Sequence, residues 1–240
     1  MRREELVVQE MFIAVEGPIG VGKTSLMHAV SERWGLREQP EIVGENPFFA
    51  EFYSDIQKWS FQTEMFFLTS RYTQLRDLRG RSAGVVSDYN IHKNLIFARR
   101  TLGPEELAKL EAVYDILVDG LPQPDLTVIL DAQLPVLRRR IERRGRETEH
   151  LITDRYLLDL REDYHDYAAS LREKGLRSVE IDTTTMDFVS RPADLESILE
   201  TVRAAAELGQ HRLDLTGRKG ADDDTADAPQ AMQRSGEEER

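Results

Sequence analysis

The sequence predicts an α/β fold: a five-stranded parallel sheet flanked by helices. Three observations predict it. Short apolar runs bounded by turn residues recur along the chain, at MFIAVEG (11–17), EIV (41–43), AGVVSDY (83–89), DLTVILDA (125–132) and SVEIDTT (178–184). Longer helical patterns separate them, beginning with a helix over Lys23–Trp34, and strands alternating with helices make a parallel sheet covered on both faces. A glycine-rich loop joins the first run to the first helix. No internal repeat breaks the pattern.

The chain has 240 residues, 40% of them hydrophobic, enough for one substantial core. We divide it into an N-terminal extension (1–10), one domain (11–210) and an acidic tail (217–240). The tail holds seven acids against four bases and almost nothing apolar, the composition of a disordered segment. Glu4, Glu5 and Glu10 interrupt the first residues, so no signal sequence is expected, and no run reaches membrane-spanning length. There are no cysteines, which fits a reducing cytoplasm. The net charge of −12 repels phosphate backbones and argues against a nucleic acid polymer as ligand.

Gly17-Pro18-Ile19-Gly20-Val21-Gly22-Lys23-Thr24 fits the G-x-x-x-x-G-K-[ST] pattern in its required setting, after a strand and opening a helix. Its glycines let backbone N–H groups converge on phosphate oxygens at the positive end of a helix dipole. Lys23 then reaches the β and γ phosphates of ATP. Thr24 offers a hydroxyl to Mg2+, and Asp88, ending the third run, is placed to reach the same metal or to cap the next helix. The fold is thus a P-loop fold.

A switch GTPase is excluded, since no N-K-x-D motif occurs. The acceptor decides between the remaining kinases. A phosphate acceptor needs cationic clamps, whereas a sugar hydroxyl benefits from a carboxylate base. Residues 41–58 hold Glu41, Glu45, Glu51 and Asp55 against Lys58 alone, which favours a hydroxyl. Glu41, leading the EIV run, is the candidate base; a solvated strand-end charge is the other reading.

Beyond this point Glu41-Ile-Val-Gly-Glu-Asn46-Pro47, Phe52-Tyr53, Trp59-Ser60-Phe61, Arg71, Asp88-Tyr89, Phe97-Ala98 and Arg140-Ile-Glu-Arg-Arg144-Gly-Arg146 resemble the deoxynucleoside kinases, in particular the bacterial deoxyguanosine kinases, over roughly residues 11–205. The resemblance implies that Glu41 is the catalytic base, although Ile42 replaces the proline of the family motif. It implies that Tyr53 and Glu149 hold the sugar 3'-hydroxyl, that Phe97 stacks on the base, and that the protein is a homodimer. Many members carry arginine where Tyr89 stands, which leaves open what replaces that charge.

Arg140, Arg144 and Arg146 form a basic cluster after the fourth strand and its helix. It reads either as a lid closing over triphosphate or as an ordinary solvated helix face. The helix beginning at Trp59 carries an inward stripe of Phe61, Met65, Leu68, Tyr72 and Leu75, interrupted by Glu64 and Arg71 seven residues apart. These two form either a structural ion pair or a purine reader. Guanine presents two donors, N1–H and the 2-amino group, that suit a carboxylate kept ionised by Arg71, and Arg71 suits O6 or N7. The expectation is an ATP- and Mg2+-dependent kinase of a small deoxynucleoside, deoxyguanosine before deoxyadenosine. A nucleoside monophosphate kinase and a non-catalytic nucleotide-binding regulator are the alternatives.

Overall fold

Every residue of the first strand, β1 (Phe12–Glu16), is buried, as a central parallel strand with both faces covered must be. In the computed structural model, which describes residues 8–217, β1 pairs in parallel with β3 (Val85–Ser87) on one side and β4 (Leu126–Asp131) on the other. The edges are β2 (Arg37–Gln39) beside β3 and β5 (Ser178–Asp182) beside β4, giving the order β2-β3-β1-β4-β5. The acidic tail beyond Gly217 lies outside the described residues, as do residues 1–7.

The period of two along each strand divides the core. Ile13, Val15, Val128 and Leu130 face one side, where they meet Leu26, Met27 and Val30 of α1 (Lys23–Trp34) and Ile198, Leu199 and Val202 of α8 (Pro192–Gly217). Phe12 and Val85 face the other, against α3 (Ile56–Arg76), α4 (Lys93–Thr101) and α5 (Pro104–Val118). Ile129 meets α7 (Asp154–Glu173) there. The core reaches back before β1 to Val8, which is fully buried. Among the described residues, no helix is long and apolar enough to cross a membrane.

Two expected boundaries are displaced. The second strand occupies Arg37–Gln39, and Glu41–Val43 is irregular. Pro40 has no N–H to extend the ladder, and its partner β3 is only three residues long. The long helix begins at Ile56, not Trp59, because the Asp55 side chain accepts from Lys58 N at 3.2 Å and caps it there. A short helix, α2 (Phe49–Phe52), precedes it, and α6 (Leu134–Arg144) follows β4.

His92, just before α4, stacks on Tyr167 with ring centroids 4.6 Å apart. Burial, then the Lys174 and Arg99 charges, hold its imidazole down at about 4 against an ordinary 6.5. As pH falls, the unfolded chain therefore takes this proton first. The His92 contribution to stability is complete above pH 6.5 and is lost towards pH 4. Glu16, raised by burial from 4.5 to about 7, acts in the opposite sense, and its contribution is lost as pH rises through that interval. Comparing wild type with His92→Phe isolates the histidine: urea unfolding should show their stability difference changing by about 1–3 kcal/mol between pH 7 and 4. A difference constant with pH refutes the assignment.

Candidate functional site

The site is built at the carboxyl ends of β1 and β3, where strand order reverses and an open α/β sheet leaves a crevice. After Glu16 the loop turns through Gly17, Gly20 and Gly22, all at positive φ, and enters α1 with no side chain capping its first turn. The N–H groups of that turn are free to face an anion. Lys23 folds over the loop, its Nζ donating to Gly17 O at 2.8 Å and Pro18 O at 3.0 Å. Burial, and next the Lys93 charge, lower this ammonium to about 7. Thr24 Oγ1 donates to Asp88 Oδ2 at 2.5 Å, and Asp88 Oδ1 accepts from Glu41 N at 2.8 Å. One carboxylate thus ties the P-loop helix to the loop after β2.

Glu41 lies at the centre of the crevice. Its side chain is 11% exposed, and Oε2 accepts from Lys93 Nζ at 2.6 Å. Oε1 accepts from Arg71 Nε at 3.2 Å and also from Nη2. Burial opposes the charge of this carboxylate, but Lys93 and Arg71 override it and hold the group far below the usual carboxylate range. The expected partnership of Arg71 with Glu64 is therefore replaced. Both lie buried on α3, yet Arg71 hydrogen-bonds across to Glu41, leaving Nη1 buried without a protein acceptor. Glu64 instead accepts from Asn94 Nδ2 at 3.2 Å. Burial raises Glu64 to about 7, with Arg71 and Lys93 opposing.

Two cavities meet here. One, about 350 Å³, is lined by the P-loop from Gly20 through Thr24, by Arg140, Arg144 and Arg146, and by Asp187–Val189. The other, about 270 Å³, is lined by Ile19, Glu41, Tyr53, Glu64, Phe67, Arg71, Asp88, Lys93, Phe97 and Glu149. Lys23, Thr24, Arg144 and Arg146 line both. A shared polar wall between two chambers is what direct transfer between two bound molecules requires.

The basic cluster divides. Arg144 binds Glu149 through two hydrogen bonds of 3.0 and 2.5 Å, and Arg146 lies 3.7 Å from the same carboxylate. Arg140, one turn back on α6, points elsewhere: it donates to Val21 O, Thr183 Oγ1, Thr183 O and Met186 O at 2.9–3.1 Å. It braces the P-loop against the segment after β5, while the other two arginines flank the second cavity. Tyr53 lines that cavity with Glu149; burial, and next the Glu149 charge, push its phenol well up.

Sequence reasoning had not singled out Lys93, Asn94 or Glu16. Glu16 is fully buried and accepts from Asn90 N at 2.6 Å and Tyr164 Oη at 3.1 Å. The signal for Lys93 was an isolated charge opening the apolar run Leu95-Ile96-Phe97-Ala98.

Comparison with known proteins places the chain in a family. The chain is 43% identical over 198 residues to the deoxyguanosine kinase of Bacillus subtilis, covering 80% of this chain and 96% of that one. It is 25% identical to the deoxyadenosine/deoxycytidine kinase of Bacillus subtilis over 88% of this chain and all of that one. Among solved structures, deoxyadenosine kinase from M. mycoides with bound dCTP superposes with a TM-score of 0.70 at 23% identity, covering 81% of this chain and 100% of that one. The family model for deoxynucleoside kinase matches residues 13–207, and with it the assignment is complete: the chain belongs to the deoxynucleoside kinase family.

Proposed function

We propose that this kinase transfers the γ-phosphoryl group of ATP to the 5'-hydroxyl of a purine deoxynucleoside, deoxyguanosine first, giving deoxyguanosine 5'-monophosphate. The observation that carries it is Glu41, a buried carboxylate kept ionised in the chamber that adjoins the P-loop. Its role is to take the 5'-hydroxyl proton as the new O–P bond forms. The P-loop residues Gly17 to Thr24 hold the triphosphate, Lys23 neutralises its β and γ oxygens, and Arg144 and Arg146 flank the point of transfer. Arg140 holds the loop that does the binding. Tyr53 and Glu149 bracket the 3'-hydroxyl as donor and acceptor, and Phe97 stacks on the base.

Mg2+ suits the hard oxygen pair of Thr24 and Asp88, whose side chains already touch. Bound there with the triphosphate, it would offset phosphate charge. The same reading includes a homodimer, as the sequence resemblance implies, a cytoplasmic location, a domain spanning 11–210 and a separate acidic tail.

The choice of base rests on Glu64 and Arg71. Arg71 gives Nε and Nη2 to Glu41 and keeps a buried Nη1 for a purine acceptor, O6 or N7. Glu64, once ionised, accepts from guanine N1–H and the 2-amino group. Adenine sets an acceptor at N1 against it, and an unsatisfied buried polar group costs about 1–3 kcal/mol. That the relative 43% identical to this chain is a deoxyguanosine kinase favours the same choice.

A panel of eight nucleosides, ribo and deoxy, with ATP and Mg2+ tests the proposal: deoxyguanosine should give the highest kcat/KM, and a preference for nucleoside monophosphates as acceptors would overturn it. Glu64→Gln should cut the deoxyguanosine-to-deoxyadenosine ratio of kcat/KM by about ten- to hundred-fold. An unchanged ratio in a one-pot competition removes Glu64 from base selection.

A further inference from the structure

The cation at the transfer point is not where the resemblance leads one to look. Tyr89, directly after Asp88, is fully buried and carries no charge; its hydroxyl donates to Gln74 Oε1 at 2.8 Å, outside the two cavities. Five positions beyond Asp88, Lys93 opens α4 with its side chain 8% exposed and its Nζ 2.6 Å from Glu41 Oε2. It lines the same chamber as Lys23, Thr24 and Asp88.

A purely structural role is a poor account of such a lysine. Arg71 places Nε and Nη2 on one oxygen of Glu41, Oε1, and Lys93 holds the other, Oε2, so two buried cations share one carboxylate. A buried ammonium close to another lysine and an arginine costs desolvation and repulsion, which a buried ion pair rarely repays in stability. What three converging cations do suit is a polyanion. The lysine side chain, a point charge on a flexible stem, moves between partners in a way a guanidinium fork does not.

We propose that Lys93 is the catalytic cation of phosphoryl transfer: it rests on Glu41 in the free enzyme and passes to an oxygen of the transferring γ-phosphoryl group when both substrates are bound. This rests on the kinase reading above and completes it. In the step itself the O5'–Pγ bond forms while the bond from Pγ to the β,γ-bridging oxygen breaks, its electron pair leaving with ADP. The 5'-hydroxyl proton goes to Glu41, and Lys93 keeps its own. The shift of Lys93 does two things together. It places positive charge where negative charge develops, and it leaves Glu41 with Arg71 alone, so the carboxylate becomes a stronger base as the proton must move.

The test is Lys93→Met and Lys93→Arg in the full chain, assayed with deoxyguanosine and MgATP. Lys93→Met should lose about 10²- to 10³-fold in kcat, with both KM values within about threefold of wild type. Lys93→Arg, which keeps the charge, should stay within about tenfold of wild type. Lys93→Ala should regain part of its rate with added ethylammonium, a response a packing role does not give, and this readout decides if Lys93→Met folds poorly. A Lys93→Met kcat within threefold of an active wild type, a loss confined to KM, no response of Lys93→Ala to ethylammonium, or a Lys93→Arg as inactive as Lys93→Met overturns the inference alone. A wild-type chain that phosphorylates no deoxynucleoside overturns the parent reading and this with it.

Discussion

Glu41→Gln lowers kcat for nucleoside phosphorylation by about 10²- to 10⁴-fold, the span expected when a positioned general base is lost. The isosteric amide keeps one acceptor oxygen, for either Arg71 or Lys93, and cannot take the 5'-hydroxyl proton. ATP affinity should stay close to wild type, because no P-loop group bonds the Glu41 side chain. Stability should fall as well. Arg71 and Lys93 are 4% and 8% exposed at their side chains, and removing the anion between them leaves two buried cations facing each other. Breaking a buried pair by removing one partner costs about 3–5 kcal/mol, and the retained amide should hold the loss to the lower end. Rapid-quench measurement of the chemical step, beside thermal melting, separates the two effects. A folded Glu41→Gln protein that transfers phosphate at the parent rate ends the case for this base.

Gly17→Ala carries the second large effect. At φ +138 this glycine opens the P-loop, and a Cβ there would lie 2.3 Å from the carbonyl oxygen of Leu130. That neighbour is backbone of the adjacent strand β4 and cannot swing aside, so the loop must move. Backbone strain of about 1–3 kcal/mol and overpacking of about 1–3 kcal/mol add to roughly 2–6 kcal/mol. For a domain of this size each kcal/mol lowers Tm by about 2–4 °C. Gly35→Ala is the internal control: it also has positive φ, but nothing lies within 4 Å of the added methyl. It should cost about 1 kcal/mol and leave ATP binding alone. Equal melting shifts in the two variants, or a wild-type KM for ATP in Gly17→Ala, would contradict the packing described for the loop.

How much of this was legible beforehand differs by element, for physical reasons. The glycine loop and the helix from Lys23 to Trp34 were readable to the residue, because a phosphate cradle requires glycines and a lysine at fixed offsets. The buried strands were readable as apolar runs. The position of Glu41 was not: Pro40 ends the second strand before the apolar EIV begins, and a hydrophobic run of three residues looks the same in a strand or a loop. Arg71 was placed on the inward face of its helix by periodicity, and it is there. Periodicity relates residues of one helix only, so it offered Glu64 as partner and could not see a carboxylate arriving from another segment. Lys93 belongs to no fixed spacing at all. Its meaning comes from α4 docking against α3, a contact no local pattern encodes.

The site also ties activity to the completion of folding. β1 pairs with β3 more than seventy residues downstream and with β4 more than a hundred, and the groups around Glu41 come from α3, α4 and the ends of β2 and β3. Individual helices can form from local sequence, but none of them holds more than a fragment of the chamber. Long-range parallel pairing is the slow part of such topologies, since loop closure must precede its reward. During refolding from denaturant, far-ultraviolet ellipticity should therefore recover ahead of phosphotransfer, whose return marks the closing of the central strands.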